Sequence, residues 1–300
     1  MKRLIVTADD FGVAREVNDA VEAAHRGGVL TAASLMVAAP AAADAIARAR
    51  RMPSLRVGLH VVLVEGRPVL PASAVTHLVD GNGLFRSNMA ALGTILSVSR
   101  QARRQLAAEI TAQFEAFRAT GLTLDHCNAH KHFHLHPVVG RLMAAIGARF
   151  GLRATRIPLE PAHVLREVEP WTSGRPALLT TPFALLLRRR AAKAGLLAPD
   201  RTFGLQWSGQ MTESRLSGLI RHLPDGLSEI YLHPATGPFA GSAAGYRYRE
   251  EFDALMAAGV AAACRDSDLK LGGFGDFLDP RSTLHARAPD PAVRAAGWMP

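Results

Sequence analysis

Apolar and polar positions along the chain switch repeatedly between a strand-like and a helix-like period. Residues 4–8 form a short apolar run ending in Asp9-Asp10-Phe11-Gly12, and residues 15–26 then place Val17, Ala20, Val21 and Ala24 at helical spacing before Gly27-Gly28. A strand, an acidic turn and a helix are predicted there. The unit recurs: a strand over 35–37 stops before Pro40, an alanine-rich helix covers 41–51, and a strand over 57–62 carries His60. Helices over 106–120 and 137–150 enclose a strand over 122–126. Further short strands are predicted over 153–157, 228–233 and 270–272, with a late helix over 250–264. Alternation of this kind argues for a parallel sheet buried under helices, with the site on loops at the carboxyl ends of the strands. Neither an internal repeat nor a low-complexity linker interrupts it. The segment 279–300, with Pro280, Pro289, Pro291 and Pro300, is expected to be a loosely ordered tail.

Composition narrows the class. With 48% hydrophobic and 20% charged residues in 300, the chain has enough apolar material for a large core, which excludes global disorder. The apolar runs around 30–43 and 177–187 are too short or too interrupted to span a bilayer. Asp9, Asp10 and Arg15 cut short any signal-like apolar stretch after Met1-Lys2-Arg3, so a cytoplasmic protein is expected. Cys127 and Cys264 stand far apart and in no CxxC, which fits a reducing compartment and excludes a cysteine-rich zinc site. The net charge of +9 suggests nucleic acid at first sight. All but four of the 35 basic residues are arginines, however, and with 6% aromatics the chain offers few stacking platforms, so no nucleic-acid partner is expected.

Chemistry-bearing residues collect at the predicted strand ends. Asp9 and Asp10 follow the first strand; one carboxylate can reach a metal while its neighbour faces substrate or water, although an N-cap and a solvated turn residue would look the same. His60 sits in an apolar strand, as a metal ligand or as a hydrogen-bonded core histidine. The strongest signal is Asp125-His126-Cys127-Asn128-Ala129-His130-Lys131-His132-Phe133-His134-Leu135-His136-Pro137. Read as extended chain, it places His126, Asn128, His130, His132, His134 and His136 on one face. Imidazoles suit zinc and similar divalent ions, and a carboxylate partner extends the range to magnesium or manganese. His233 closes a late strand before Pro234, and Arg153 and Arg156 near Pro158 could orient an acid or bind substrate oxygens.

Thr7-Ala8-Asp9-Asp10-Phe11-Gly12, Gly58-Leu59-His60 with Glu65-Gly66-Arg67-Pro68, the tract His130-x-His132-x-His134 closed by Pro137, and Leu232-His233-Pro234 occur in one order. In that order they resemble the YdjC-like carbohydrate deacetylases over residues 3–278. The wording of 128–137 and of Leu205-Gln206-Trp207-Ser208-Gly209 resembles the hopanoid-biosynthesis-associated branch, known as HpnK-like. The resemblance implies a single-domain α/β fold over 1–278, a distorted (β/α) barrel related to polysaccharide deacetylases. It implies metal-dependent removal of an N-acetyl group from an N-acetylglucosamine unit, on a hopanoid lipid glycoside. The alternatives are deacetylation of soluble chitooligosaccharides, or an HxH-type amidohydrolase acting on another small amide. By motif position Asp10, His60 and His130 hold a divalent ion, zinc or magnesium; Asp9 is the base and His233 the acid. Arg156, His132 and His134 are expected to bind substrate. Asn128 stands where many relatives carry an aspartate, with Asp125 close by.

A lipid-linked acceptor would suit the run from Ala177 to Leu187 followed by Arg188, Arg189, Arg190 and Lys193. That pattern resembles an interfacial segment giving peripheral contact at the inner membrane surface, and equally a buried helix with a basic end.

Overall fold

The computed structural model describes residues 1–173 and 175–278; the tail expected over 279–300 lies outside them. The first half of the chain runs β1 (Lys2–Phe11), α1 (Arg15–Gly27), β2 (Ala32–Leu35), α2 (Ala42–Arg50), β3 (Arg56–Val61), α3 (Met89–Val98), α4 (Arg100–Ala119), β4 (Cys127–Ala129) and α5 (Pro137–Arg149). The second half continues with α6 (Ala162–Val168), α7 (Arg175–Lys193), β5 (Arg201–Phe203), α8 (Glu213–His222), β6 (Gly226–Leu232), α9 (Tyr248–Met256), α10 (Ala258–Asp266) and β7 (Leu269–Leu271). These seven strands pair in parallel, in the order β4-β3-β2-β1-β6-β5, with β7 alongside the start of β1. Because both faces of such a sheet are covered, β1 is apolar and buried from Leu4 to Ala8, and β2 is buried throughout.

The sheet curls toward closure. Beyond β4, Cys127 bridges Thr155 and Ala154 bridges Leu197, and Thr202 of β5 donates its N–H to Leu159 O at 2.8 Å. The strand expected over 153–157 is thus a link between β4 and β5, and the architecture is the distorted barrel anticipated. Carboxyl ends of β1, β3, β4 and β6 converge on one rim, which positions the site.

Several boundaries differ from the sequence reading, each for a local reason. The strand expected over 35–37 lies earlier, because Ala32–Leu35 is the stretch in register with both β1 and β3. The strand expected over 122–126 is assigned at Cys127–Ala129, although Asp125 N still donates to Val57 O and His126 O still accepts from Leu59 N. The helix expected over 250–264 is two, because Ala257 between α9 and α10 is extended (φ −68°, ψ 131°). β5 and α8 had no counterpart in the sequence reading; a three-residue strand carries too little periodicity to read.

The basic apolar segment over 177–190 falls in α7. Ala184, Leu187 and Ala191 are buried in a small cluster with Ile157, while Phe183 and Leu185 are exposed. Arg188 donates to Pro199 O and Asp200 O, and Arg190 to Pro137 O. Two of the three arginines therefore serve the fold, tying the end of α7 to neighbouring backbone. Among the described residues no helix is long and apolar enough to cross a membrane.

Candidate active site

β1 ends irregularly, and that irregularity aims its acids. Its register with β2 shifts between Ala8 and Phe11, and Asp10 takes a left-handed conformation (φ 60°) that few non-glycine residues adopt. Gly12 follows at φ 99°, where an added Cβ would lie 3.2 Å from Ala42 Cα. The consequence is that Asp9 and Asp10 both line one cavity yet take different partners.

Asp10 Oδ1 lies 3.0 Å from His130 Nδ1 and 3.2 Å from His60 Nε2. One ligand atom from each of Asp10, His60 and His130 fits within 4.8 Å of the other two. One carboxylate and two imidazoles, leaving positions free for water and substrate, is a donor set suited to a catalytic divalent ion. Burial raises the Asp10 pKa, but His130 and His60 outweigh it and hold the carboxyl well below its usual range. On the far side of the ring His60 Nδ1 meets Asn128 Oδ1 at 2.7 Å, which orients the imidazole as outer partners of metal ligands do. Asn128 thus meets the ring with an amide oxygen. Its Nδ2 also donates to Asp9 Oδ1 at 3.2 Å, which an ionised carboxylate could not do.

Asp9 is 2% exposed and held by a buried arginine. Arg156 Nη1 donates to Asp9 Oδ2 at 2.5 Å and Nη2 to Asp9 Oδ1 at 3.0 Å, while Nε and Nη2 reach Glu229 Oε1 at 3.0 and 2.8 Å. The guanidinium also lies over the Tyr231 ring, 4.4 Å from its centre. Burial alone would raise the Asp9 pKa, but Arg156 and then His60 drive the carboxyl far below the ordinary range. Of the two roles considered for Arg156, orienting an acid is the one the geometry carries; fully buried, it lines no part of the cavity and reaches no substrate there.

The histidine tract is not extended beyond His130. Residues His130–Leu135 form a tight turn in which Lys131 (φ 52°) and His132 (φ 53°) are both left-handed, so the alternation expected from the spacing breaks up. His130 faces Asp10. His132 Nε2 lies 2.8 Å from Tyr231 Oη and lines the cavity. His134 turns inward, 1% exposed, with Nε2 3.2 Å from Arg156 O; it is a core histidine and not a cavity residue. His136 is the N-cap of α5, its Nδ1 accepting from Val138 N.

The cavity above these residues measures about 340 Å3, within the usual span for small-molecule sites. Asp9, Asp10, His60, His130 and His233 mark its polar end, and Phe239 and Tyr246 from the loop after β6, with Tyr248 at the start of α9, supply an aromatic wall. His233 hangs from a backbone N–H that donates to the buried Glu251. Burial pushes its imidazole pKa down, opposed by Asp10 and Asp9.

Residues 3–266 match the model of the YdjC-like protein family. The chain belongs to the YdjC-like family. Among its relatives, a carbohydrate deacetylase of Brevibacillus brevis is 28% identical over 279 residues, covering 92% of this chain and 99% of the relative. The carbohydrate deacetylase of Geobacillus stearothermophilus is 33% identical over 77% of this chain and 78% of its own length, and that of Homo sapiens 32% identical over 77% and 74%. A solved structure from Enterococcus faecalis V583, described as a candidate cellobiose-phosphate cleavage protein, superposes with a TM-score of 0.72 at 21% identity, covering 93% of this chain and 99% of the other. That likeness establishes the fold.

In this YdjC-like chain the sequence reading located both acids and all three candidate ligands but missed Glu229, Tyr231 and Glu251. A glutamate inside the apolar strand Gly226–Leu232 was a visible signal, since a fully buried carboxylate is rarely left without a charged partner. His134 has a measurable consequence of its own. Burial, and then Arg156, push its pKa down to about 3, against 6.5 for a free histidine. Below pH 6.5 the unfolded chain takes a proton that the folded chain refuses, so the stability His134 contributes is lost progressively on acidification. Urea unfolding at pH 7 and pH 5 is expected to show the unmutated protein losing about 2 kcal/mol more than His134→Gln, at roughly 1.4 kcal/mol per pH unit. Equal losses would remove His134 from the acid response.

Proposed function

We propose that this chain is a carbohydrate deacetylase that removes the acetyl group from an N-acetylated amino sugar by metal-dependent amide hydrolysis. The observation that carries the reading is the division of labour between two adjacent acids: Asp10 turned to His60 and His130, Asp9 held apart by Arg156. A divalent ion held by Asp10, His60 and His130 would polarise the acetyl carbonyl and lower the pKa of water. Asp9 takes the proton. Its Oδ1 already accepts from Arg156 and Asn128, whereas Oδ2 accepts from Arg156 alone, so Oδ2 has a lone pair left for the water that attacks. The proton that Asp9 takes from the water leaves with the departing amine, handed on through His233, since an amine leaving unprotonated is a poor leaving group and an imidazole of depressed pKa gives its proton up readily. The aromatic wall of Phe239, Tyr246 and Tyr248 offers apolar faces for the sugar ring.

A finer acceptor, an N-acetylglucosaminyl group on a hopanoid lipid, rests on the wording of residues 128–137 and 205–209, and contact with a membrane on the exposed Phe183 and Leu185 of α7. Acetate release from N-acetylchitobiose is the experiment: turnover is expected, is expected to stop with a chelator, and to return on adding zinc or magnesium. Unchanged turnover in chelator would overturn the metal-dependent mechanism. Parallel assays on a membrane-borne N-acetylglucosaminyl lipid rank the two acceptors.

A further inference from the structure

Beneath the metal-ligand candidates lies a second constellation that the mechanism does not use. Ser34 of β2, His126 and Asp125 line up by hydrogen bonds in the manner of a hydrolytic triad: Ser34 Oγ is 3.0 Å from His126 Nε2, and His126 Nδ1 is 3.0 Å from Asp125 Oδ2. None of the three lines the cavity, and Ser34 and His126 have no exposed surface. A nucleophile that no substrate can reach is excluded. The set continues instead toward the site, because Asn128 Nδ2 donates to Ser34 Oγ at 2.9 Å and Asn128 Oδ1 meets His60 Nδ1.

The direction of every proton in this chain is fixed at its far end. Asp125 accepts from Phe274 N at 3.2 Å and Gly275 N at 2.7 Å, so it acts as a carboxylate facing donors only. His126 Nδ1 must then carry a proton toward it, which leaves Nε2 of the neutral ring as acceptor for the Ser34 hydroxyl. The Ser34 oxygen in turn accepts from Asn128 Nδ2, whose other hydrogen goes to Asp9. With its nitrogen committed to two acceptors, the Asn128 amide can present only oxygen to His60. His60 therefore keeps a proton on Nδ1, which leaves Nε2, facing Asp10 Oδ1 at 3.2 Å, as the nitrogen that a divalent ion would take. The His126 ring is clamped in place for this task. It stacks on Phe274 at 4.3 Å, and it lies so close to β3 that a Cβ on Gly58 would fall 2.6 Å from it.

We propose that Asp125, His126 and Ser34 form a buried positioning relay that, through Asn128, fixes the tautomer of His60 and so prepares Nε2 for a divalent ion. The proposal rests on the reading of Asp10, His60 and His130 as the metal site, and its test separates the two. In the metal-free protein labelled with 15N-histidine, nitrogen shifts of the imidazoles are expected to show a proton on Nδ1 of both His60 and His126. Finding His60 Nδ1 without a proton overturns the relay without any mutation. In Ser34→Ala, folded by its amide spectrum, the His60 Nδ1 shift is expected to change as the Asn128 amide loses its fixed orientation, and zinc affinity, read by competition with a chelating dye, to fall 10- to 100-fold. Ser34→Thr, which keeps the hydroxyl, is expected to restore both. His126→Phe keeps a ring to stack on Phe274 but cannot accept from Ser34, and is expected to move the His60 Nδ1 shift in the same direction as Ser34→Ala. An unchanged His60 Nδ1 shift and zinc affinity in Ser34→Ala would overturn the relay. An unmutated protein that binds no zinc would overturn the metal reading instead, while the nitrogen-shift comparison still decides the relay.

Discussion

Asp9→Asn is expected to retain a divalent ion and to lose deacetylation by about 10^2- to 10^4-fold, the range over which a positioned general base acts. An amide at this position can still accept from Arg156 through its oxygen, but it cannot take the proton of an attacking water. The substitution also breaks a charge pair. Arg156 keeps Glu229 but loses one of its two anions, and truncating a buried pair typically costs about 3–5 kcal/mol, so a lower melting temperature should accompany the lost activity. Metal analysis and steady-state kinetics on the folded variant decide the matter. Activity within tenfold of the unmutated protein would give the base role to another group; loss of the metal together with activity would mean that Asp9 and Asp10 have been assigned the wrong way round.

His60→Ala and His130→Ala are each expected to empty the metal site and to abolish turnover, because each removes one of three donors gathered within 4.8 Å. His136→Ala is expected to keep the metal. Its imidazole caps α5 and lies 3.1 Å from Gly93 O, so what it loses is a helix cap, about 1 kcal/mol of stability. Metal content of the three purified variants, measured beside their melting temperatures, separates these roles. A metal-free His136→Ala with a metal-loaded His130→Ala would shift the ligand register along the tract.

The parts of this site that were legible in the sequence are those written as local pattern. The apolar run before Asp9-Asp10, the histidine inside β3 and the strand ending at His233 announce strands and their ends, and a parallel sheet gathers such ends on one rim. What could not be read is whatever depends on backbone that breaks the pattern. The histidine spacing of 130–136 obeys a period of two, yet Lys131 and His132 are left-handed, so four histidines that would share one face go to four different places. No residue type in that stretch marks the break: no glycine or asparagine stands at either position. Partnerships across long separations were equally hidden. Arg156 reaches Asp9 across 147 positions and Asn128 reaches Ser34 across 94, and only the folded sheet brings them together.

The placement of β1 has a consequence for how the protein comes into being. The earliest of these strands in sequence sits in the middle of the sheet, flanked on one side by β2 and on the other by β6, with β7 beside its start. During synthesis its apolar residues can meet β2 and β3 early, but half of its hydrogen-bonding edge waits for residues 226–232 and 269–271. Contacts this distant in sequence make closure slow and leave an open strand edge on the growing chain. Asp9 and Asp10 travel on that strand, and Arg156, Glu229 and His233 arrive only later. The catalytic cavity therefore cannot exist on a nascent chain; it is among the last features of the molecule to form.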